Sequence, residues 1–326
     1  MEKKILNPDF VGDGTKLAIS EMIKSGTTCY ADMYFLPSVA ASTANEIGMR
    51  SQIGIPVLDE IYGETAATYI HEGLKLHDSY RNQALTKVAF AIDSLNMLDQ
   101  ETLEIISTYA DELDLPIRIR LHETESETTV SFNRFGSRPV DRLVELGMLH
   151  PQTQLTHMLK IDANDIQPLS RHGCQVIACP ESNLKLNNGM CPIEELILEG
   201  INVALGTESA GCNTSLDLLG GLKTINLLTK GSSKNSCFFD AHQSLKMATL
   251  DGAKALNWQD QIGSLESGKF ADIIAIDVTN IDCFPTFDMA SGIVYGSSGS
   301  DVTHCWVGGK ALMENSILKN ISESEL

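Results

Sequence analysis

Short apolar runs alternate with amphipathic stretches along the first two thirds of the chain, which predicts a parallel α/β architecture. Several of the amphipathic stretches end at a glycine, where a helix commonly closes with a left-handed residue. The pattern predicts strands at residues 27–34, 50–58, 87–93, 116–123, 153–159, 174–180 and 202–208. It predicts helices at residues 14–25, 38–47, 99–113, 137–146, 162–172 and 192–199. This repeated helix, glycine and strand order is typical of a TIM-like (β/α) barrel.

The pattern changes after Leu256. The patterns at residues 262–278 and 301–312 predict β-strands with hairpin glycines. We therefore expect a barrel-like unit at residues 1–256 and a small β-rich appendage at residues 257–326.

Composition narrows the class of protein. The 326 residues are 43% hydrophobic and 21% charged, which is ordinary for a globular chain. The formal charge of −19 repels nucleic acid and anionic membrane surfaces, so neither is an expected partner. No apolar run has the length of a signal peptide or a membrane span, and the eight cysteines form no C-x-x-C pair. A cytoplasmic location with reduced thiols is the expectation.

Six stretches taken together carry a family resemblance. They are residues 17–35, L-H-E-T at 121–124, C-P-E-S-N-L-K-L-N-N-G-M-C-P-I at 179–193, G-I-N-V-A-L-G-T-E at 200–208, residues 248–256 and residues 262–277. In this order they resemble the amidohydrolase superfamily, most closely its 5′-methylthioadenosine/S-adenosylhomocysteine deaminase and chlorohydrolase branch. The resemblance implies an eight-stranded barrel with a zinc site at the C-terminal ends of its strands, and a β-sandwich built from both ends of the chain.

The resemblance also implies a ligand set, which this sequence matches poorly. An H-x-H pair is expected on the first strand, but no two of the eight histidines have that spacing, and we expect a barrel lacking its first strand. The position of the fifth-strand histidine holds Arg120, and that of the eighth-strand aspartate holds Glu208. A fourth-strand histidine is replaced by Asp93. Guanidinium has no free acceptor and cannot bind a cation, so no metal site is predicted.

Other family positions are retained. By resemblance Glu123 matches the proton-shuttling glutamate and His157 the sixth-strand histidine, so Glu123, His157 and Glu208 are the candidate catalytic residues. Asp93, Arg120 and Asn183 are the candidate substrate-binding residues. Simpler roles remain open: Glu123 as a solvated carboxylate at a helix start, His157 as a hydrogen-bonded histidine without a ligand, and Asn183 as a loop-fixing residue.

These substitutions predict a changed function. We expect Arg120 to pair with Asp93 and Glu208, which supplies the cation that the metal would otherwise supply. The chain is then a pseudoenzyme related to nucleoside deaminases that still binds a small purine-like ligand. An active aminohydrolase is the first alternative, either metal-free or with an unconventional site at His122, Glu123, His157 and Glu208. An enzyme completed by a separate chain is the second.

Seven strands leave two unpaired sheet edges, which expose backbone donors and acceptors. Two ways of covering the gap are expected. Either the chain self-associates across the open barrel edge, most simply as a homodimer, or residues 1–13 fill the seam.

Overall fold

The computed structural model describes residues 5–58, 64–233, 235 and 237–322. A seven-stranded parallel sheet forms its centre, with the strands side by side in chain order from β1 to β7. All seven strands predicted from the sequence are confirmed. Their bounds are β1 Cys29–Asp32, β2 Arg50–Val57, β3 Thr86–Ile92, β4 Ile117–Leu121, β5 Thr153–His157, β6 Gln175–Ala178 and β7 Asn202–Leu205.

The seven-stranded sheet is curled. Arg120 on β4 reaches Glu208, which follows β7, so the middle of the sheet faces its far edge. Among the described strands, β1 pairs only with β2 and β7 only with β6, so the two open edges are as predicted. The curl brings the C-terminal ends of the strands together at one mouth, which is where parallel α/β barrels gather their functional side chains.

Helices fill the connections between the strands. Their bounds are α1 Pro8–Lys24, α2 Pro37–Ile47, α3 Ala66–Tyr80, α4 Gln100–Leu113, α5 Glu125–Phe135, α6 Pro139–Glu145, α7 Ala163–His172, α8 Pro180–Lys185, α9 Ile193–Leu198, α10 Ala210–Asn213, α11 Leu218–Ser232, α12 Ala241–Ala248, α13 Leu250–Ala255 and α14 Met289–Gly296. The six predicted helices are confirmed, and the glycines after α2 and α7 adopt the expected left-handed conformation, with φ of 91° and 68°.

A second, antiparallel sheet contains β8 Ile273–Ile276, β9 Val302–Val307, β10 Lys310–Glu314 and β11 Ile317–Leu318. The predicted hairpin at residues 301–312 is confirmed, with Gly308 and Gly309 in its turn. The strand predicted over residues 262–278 is wrong for residues 262–272, which form turns closed by local backbone hydrogen bonds such as Phe270 N to Gln261 O at 2.8 Å.

One buried ion pair ties the two sheets together. Arg50, at the start of β2, donates from Nε and Nη2 to the carboxylate of Asp272 at 2.7 and 2.9 Å. Its guanidinium also lies over the rings of Trp258 and Phe270, at 5.4 and 5.2 Å from their centroids. Residues 258–272 are therefore held by contacts with the barrel floor rather than by strand pairing, which explains the missing strand.

Helix α1 packs against α2 and against the second sheet. Residues 8–13 belong to this helix, and residues 1–4 lie outside the described residues. Among the described residues, none of the helices combines the length and apolarity that crossing a bilayer requires.

Candidate functional site

A three-residue ion-pair cluster lies at the strand mouth. Arg120, near the end of β4, donates from Nη1 to Asp93 Oδ1 at 2.5 Å. Its Nε and Nη2 donate to Glu208 Oε1 and Oε2 at 3.2 and 2.8 Å. The guanidinium therefore makes a bidentate contact with one carboxylate and a further contact with another, which is the pairing predicted from the sequence.

The electrostatics of this cluster are mutually reinforcing. Burial lowers the pKa of Arg120, but Glu208 and Asp93 outweigh it, so the pKa of Arg120 is raised above its ordinary value. Burial raises the pKa of Glu208, but Arg120 and His157 outweigh it, so the pKa of Glu208 is held below its ordinary value. At neutral pH the cluster is thus a cation between ionised carboxylates.

His157 lies beside this cluster and is buried. Its Nδ1 lies 2.9 Å from Asn183 Oδ1. Because a carbonyl oxygen only accepts, this contact holds the proton of His157 on Nδ1. The Nε2 atom faces the mouth, 3.6 Å from Glu208 Oε1 and 3.7 Å from Glu123 Oε2. The histidine therefore has one nitrogen fixed from behind and the other between two carboxylates.

Glu123 completes the set of side chains at the mouth. It follows β4 and precedes the N-cap of α5, Thr124. Its Oε1 accepts a hydrogen bond from Asn188 Nδ2 at 2.8 Å, and its backbone N–H donates to Glu127 Oε2 at 2.8 Å. Asn188 is not among the residues predicted from the sequence, although it stands in the same S-N-L-K-L-N-N-G stretch as Asn183.

Left-handed backbone conformations concentrate where these strands end. Positive φ angles of 53°, 80° and 61° occur at His122, His157 and Glu208. Non-glycine residues adopt this region at a cost of about 1–3 kcal/mol each, and such residues cluster at functional sites. At His157 and Glu208 the backbone is strained, and the contacts described above hold their side chains toward the mouth.

His122 does not join the site. Its Nδ1 lies 3.0 Å from the Lys160 carbonyl oxygen, and its Nε2 faces Asp165 Oδ1 at 3.6 Å. Burial lowers the pKa of His122 below its ordinary value. The four-residue metal site considered above is therefore wrong at His122, because the backbone turn after β4 directs its ring toward α7 rather than toward Glu208.

A second arginine on β4 lies one layer deeper. Arg118 donates from Nη1 to the Asp32 carbonyl oxygen at 2.9 Å and from Nε to Gln154 Oε1 at 3.0 Å. Its Nη2 donates to Gln52 Oε1. Burial lowers the pKa of Arg118 to about 10. The R-I-R spacing places Arg118 and Arg120 on the same face of the strand, a signal that sequence analysis left unused.

The zinc implied by the resemblance does not fit the described residues. Both oxygens of Glu208 accept hydrogen bonds from Arg120, so the carboxylate is already occupied by a cation. A dication bound there would lie close to a guanidinium that keeps its charge at neutral pH, and the two would repel. Within the described part of the chain, no three His, Cys, Asp or Glu side chains have an arrangement that holds a metal ion.

Comparisons with known proteins agree with the fold. A family model described as "Amidohydrolase family" matches residues 1–312. A 5-methylthioadenosine/S-adenosylhomocysteine deaminase from Teredinibacter turnerae is 42% identical over 328 residues, covering 100% of this chain and 74% of that protein. The same-named protein from Saccharophagus degradans is 42% identical over 327 residues, covering 100% and 73%.

Solved structures extend the likeness. An adenosine deaminase from Xanthomonas campestris with bound zinc has a TM-score of 0.97 and 33% identity, covering 99% of this chain and 74% of that one. The zinc-complexed atrazine chlorohydrolase of Arthrobacter aurescens has a TM-score of 0.90 at 22% identity, covering 98% and 76%, and shows likeness of fold alone. By sequence and by architecture, the chain belongs to the amidohydrolase family.

Proposed function

We propose that this chain binds a purine-like nucleoside at the strand mouth and has lost the metal-dependent hydrolysis of its family, which makes it a pseudoenzyme of deaminase descent. One observation carries the proposal: Arg120 occupies Glu208 and Asp93 with its own positive charge. Metal-dependent hydrolysis needs a Lewis acid at this place that lowers the pKa of a coordinated water, and a guanidinium donates hydrogen bonds but cannot coordinate water in that way.

The mouth supports binding of a small polar ring. The side chains of Asp93, Arg120 and Glu123 are 34%, 31% and 28% exposed, so their polar groups reach a ligand without rearrangement. Carboxylate oxygens accept hydrogen bonds from the exocyclic amino group of an adenine ring and from the hydroxyl groups of a ribose. The relatives at 42% identity are named 5-methylthioadenosine/S-adenosylhomocysteine deaminases, and this name supports the choice of ligand.

A working hydrolase is the second candidate, and one observation favours it. Glu123, His157 and Glu208 lie together, with His157 Nε2 within 3.7 Å of both carboxylates. Glu123 can take a proton from water and pass it to a leaving amine, as a general acid–base group does. Without a metal, this route has no group that lowers the pKa of the attacking water, so its expected rate is far lower.

Two measurements on the same protein separate the candidates. Calorimetric titration with adenosine, 5′-methylthioadenosine and S-adenosylhomocysteine measures binding, and release of ammonia from the same compounds measures hydrolysis. We expect saturable binding of at least one compound without ammonia release above that of a Glu123→Gln variant. Ammonia release that Glu123→Gln abolishes would establish the second candidate, and absence of both signals would contradict nucleoside binding.

We also propose that the chain self-associates across its open sheet edge. The support is the presence of two unpaired edges at β1 and β7 in the described sheet, and Ala31 in β1 is exposed. Sedimentation velocity at low protein concentration is expected to give the mass of a dimer. A monomer mass across the whole concentration range would contradict self-association.

A further inference from the structure

A partly open pocket lies beside the strand mouth, between the segment 189–195 and helix α11. Its volume is about 210 Å³. A protein cavity of about 150 Å³ accommodates benzene, so this pocket admits a six-membered ring with one polar substituent. Pockets for drug-sized ligands are larger, at about 300–1,000 Å³, which sets the size class of the occupant.

The wall of the pocket contains a polar group without a partner. Thr229 on α11 is 4% exposed, and its Oγ1 has no hydrogen-bond partner among the described residues. Burying a hydroxyl without a hydrogen bond costs about 1–3 kcal/mol in proteins. A ligand that bonds this hydroxyl would recover that cost, whereas the apolar side chains of Ile193, Ile225 and Leu228 supply contact area.

The charge of the lining selects the polar substituent. Glu194 and Glu195 line the pocket, and among the residues that the structure describes no Lys, Arg or His lines it. In the described part of the chain, neither carboxylate has a basic partner within ion-pair distance. Burial, with Glu195 adding to it, raises the pKa of the nearby Cys191 thiol to about 12, so the thiol stays neutral and adds no negative charge. A cationic group on the ligand would therefore meet two carboxylates.

From the size, the unpaired hydroxyl and the two carboxylates, we propose that this pocket binds a small apolar primary amine of one ring or an equivalent short chain. The ammonium group lies toward Glu194 and Glu195, one of its N–H groups reaches Thr229, and the hydrocarbon packs on Ile225 and Leu228. This site is separate from the nucleoside proposed for the mouth and does not depend on it.

Asn183 connects the pocket to the mouth. Asn183 lines the pocket, and its Oδ1 lies 2.9 Å from Nδ1 of His157. An occupant of the pocket therefore contacts the residue that orients the histidine. The ring resonances of His157 are expected to shift as the pocket fills, which gives a reporter inside the protein.

Cyclohexylamine is the probe and cyclohexanol is its neutral counterpart of the same size. Calorimetry and protein NMR on the full chain are expected to show saturable binding of one amine, a His157 shift with the same midpoint, and weaker binding of the alcohol. Absence of saturable amine binding, equal binding of the alcohol, or an unchanged His157 at saturation would each overturn the proposal.

Variants place the bound amine. Leu228→Phe fills the pocket and is expected to weaken binding by about ten-fold or more. The control is Leu227→Phe, because Leu227 is 53% exposed on the same helix, and it should bind as the unaltered chain does. Thr229→Val keeps the shape of the side chain and should weaken binding by about five-fold. This variant provides the test if Leu228→Phe fails to fold. Undiminished binding by Leu228→Phe or Thr229→Val would overturn the placement, whereas nucleoside binding at the mouth should be unaffected in either variant.

Discussion

Arg118 and Arg120 stand two residues apart on β4 and face the same side of the sheet, yet their surroundings have opposite effects on the two side chains. The donors of Arg118 end on a carbonyl oxygen and two amide oxygens, and burial lowers its pKa to about 10. The donors of Arg120 end on two carboxylates, and its pKa is raised. The position along the strand, rather than the residue type, decides what each arginine does.

The difference follows from depth in the barrel. Arg118 lies within the curled sheet, where its guanidinium donates to the neutral side chains of Gln52 on β2 and Gln154 on β5 and so links these strands to β4. Arg120 lies where strands end, and the residues after β3 and β7 bring charged groups with them. The first arginine is a structural element of the interior, and the second sets the charge of the mouth.

Removing the deeper arginine tests the interior half of this comparison and should give the largest effect. Arg118→Ala leaves a cavity and deprives the oxygens of Gln52 and Gln154 of their donor, so the free energy of unfolding should fall by about 3–5 kcal/mol. Urea denaturation measures it, with Arg81→Ala as an exposed control. A loss below about 1 kcal/mol would show that the interior layer contributes little.

Replacing the arginine at the mouth should have a smaller effect that depends on pH. Arg120→Met leaves Asp93 and Glu208 without their cation, and unfolding should become easier by about 2 kcal/mol at neutral pH. In the unaltered chain, the lowered pKa of Glu208 contributes stability above its unfolded value of 4.5 and loses it as pH falls through the folded value.

In the Arg120→Met variant, the contribution of Glu208 to stability should depend on pH in the opposite direction. Without Arg120, burial raises the pKa of Glu208, so protonation at lower pH removes a buried charge and the stability difference from the unaltered chain narrows. Urea denaturation at a series of pH values measures this convergence. A difference that stays constant from neutral to acidic pH would contradict the ion-pair account.

Neutralising Glu208 while keeping the shape of its side chain tests the ion pair with Arg120 more specifically. Glu208→Gln keeps an acceptor for Arg120 but removes the negative charge, so the free energy of unfolding should fall by about 1 kcal/mol. Its acid-induced loss of stability should also be smaller. The matched control is Glu199→Gln, since Glu199 contacts only the exposed Gln167 through its side chain among the described bonds. Equal losses of unfolding free energy in both variants would contradict a special role for Glu208.

High salt should change the stability losses of the Arg120 and Arg118 variants differently, and this is the smallest of the expected effects. At about 1 M ionic strength the Debye length is about 3 Å, and partly exposed charges such as Arg120 and Asp93 are screened more than buried ones. The stability difference for Arg120→Met should shrink by about half a kcal/mol or less. The difference for Arg118→Ala should not change, and equal salt sensitivity of the two would contradict the contrast in their environments.

The strands were predictable because parallel βα units repeat one pattern of apolar runs. The sequence analysis did not predict α3 and α11. In α3, Gly73 interrupts the helical pattern, and no glycine marks the end of the helix. Only glycine fits there, because an added Cβ would lie 2.2 Å from Ile55 Cγ2. A tertiary contact therefore determines a residue that local pattern treats as a helix breaker.

The site was predictable where chemistry restricts the choice of partner. A guanidinium among carboxylates has one favourable arrangement, so the pairing of Arg120 with Asp93 and Glu208 followed from the residue types at strand ends. The contact of Asn188 with Glu123 depends on how the loop after α8 folds over the mouth. The direction of His122 depends on a left-handed turn, and neither feature has a local sequence pattern.

The zinc content of the chain tests most directly whether Arg120 has taken the place of a metal. The protein is dialysed against excess zinc and then against zinc-free buffer, and the retained metal is measured by mass spectrometry, with Glu208→Ala and His157→Ala as variants of the mouth. The account predicts much less than one retained zinc per chain and no difference among the three proteins. One zinc held tightly by the unaltered chain, and lost in both variants, would contradict it.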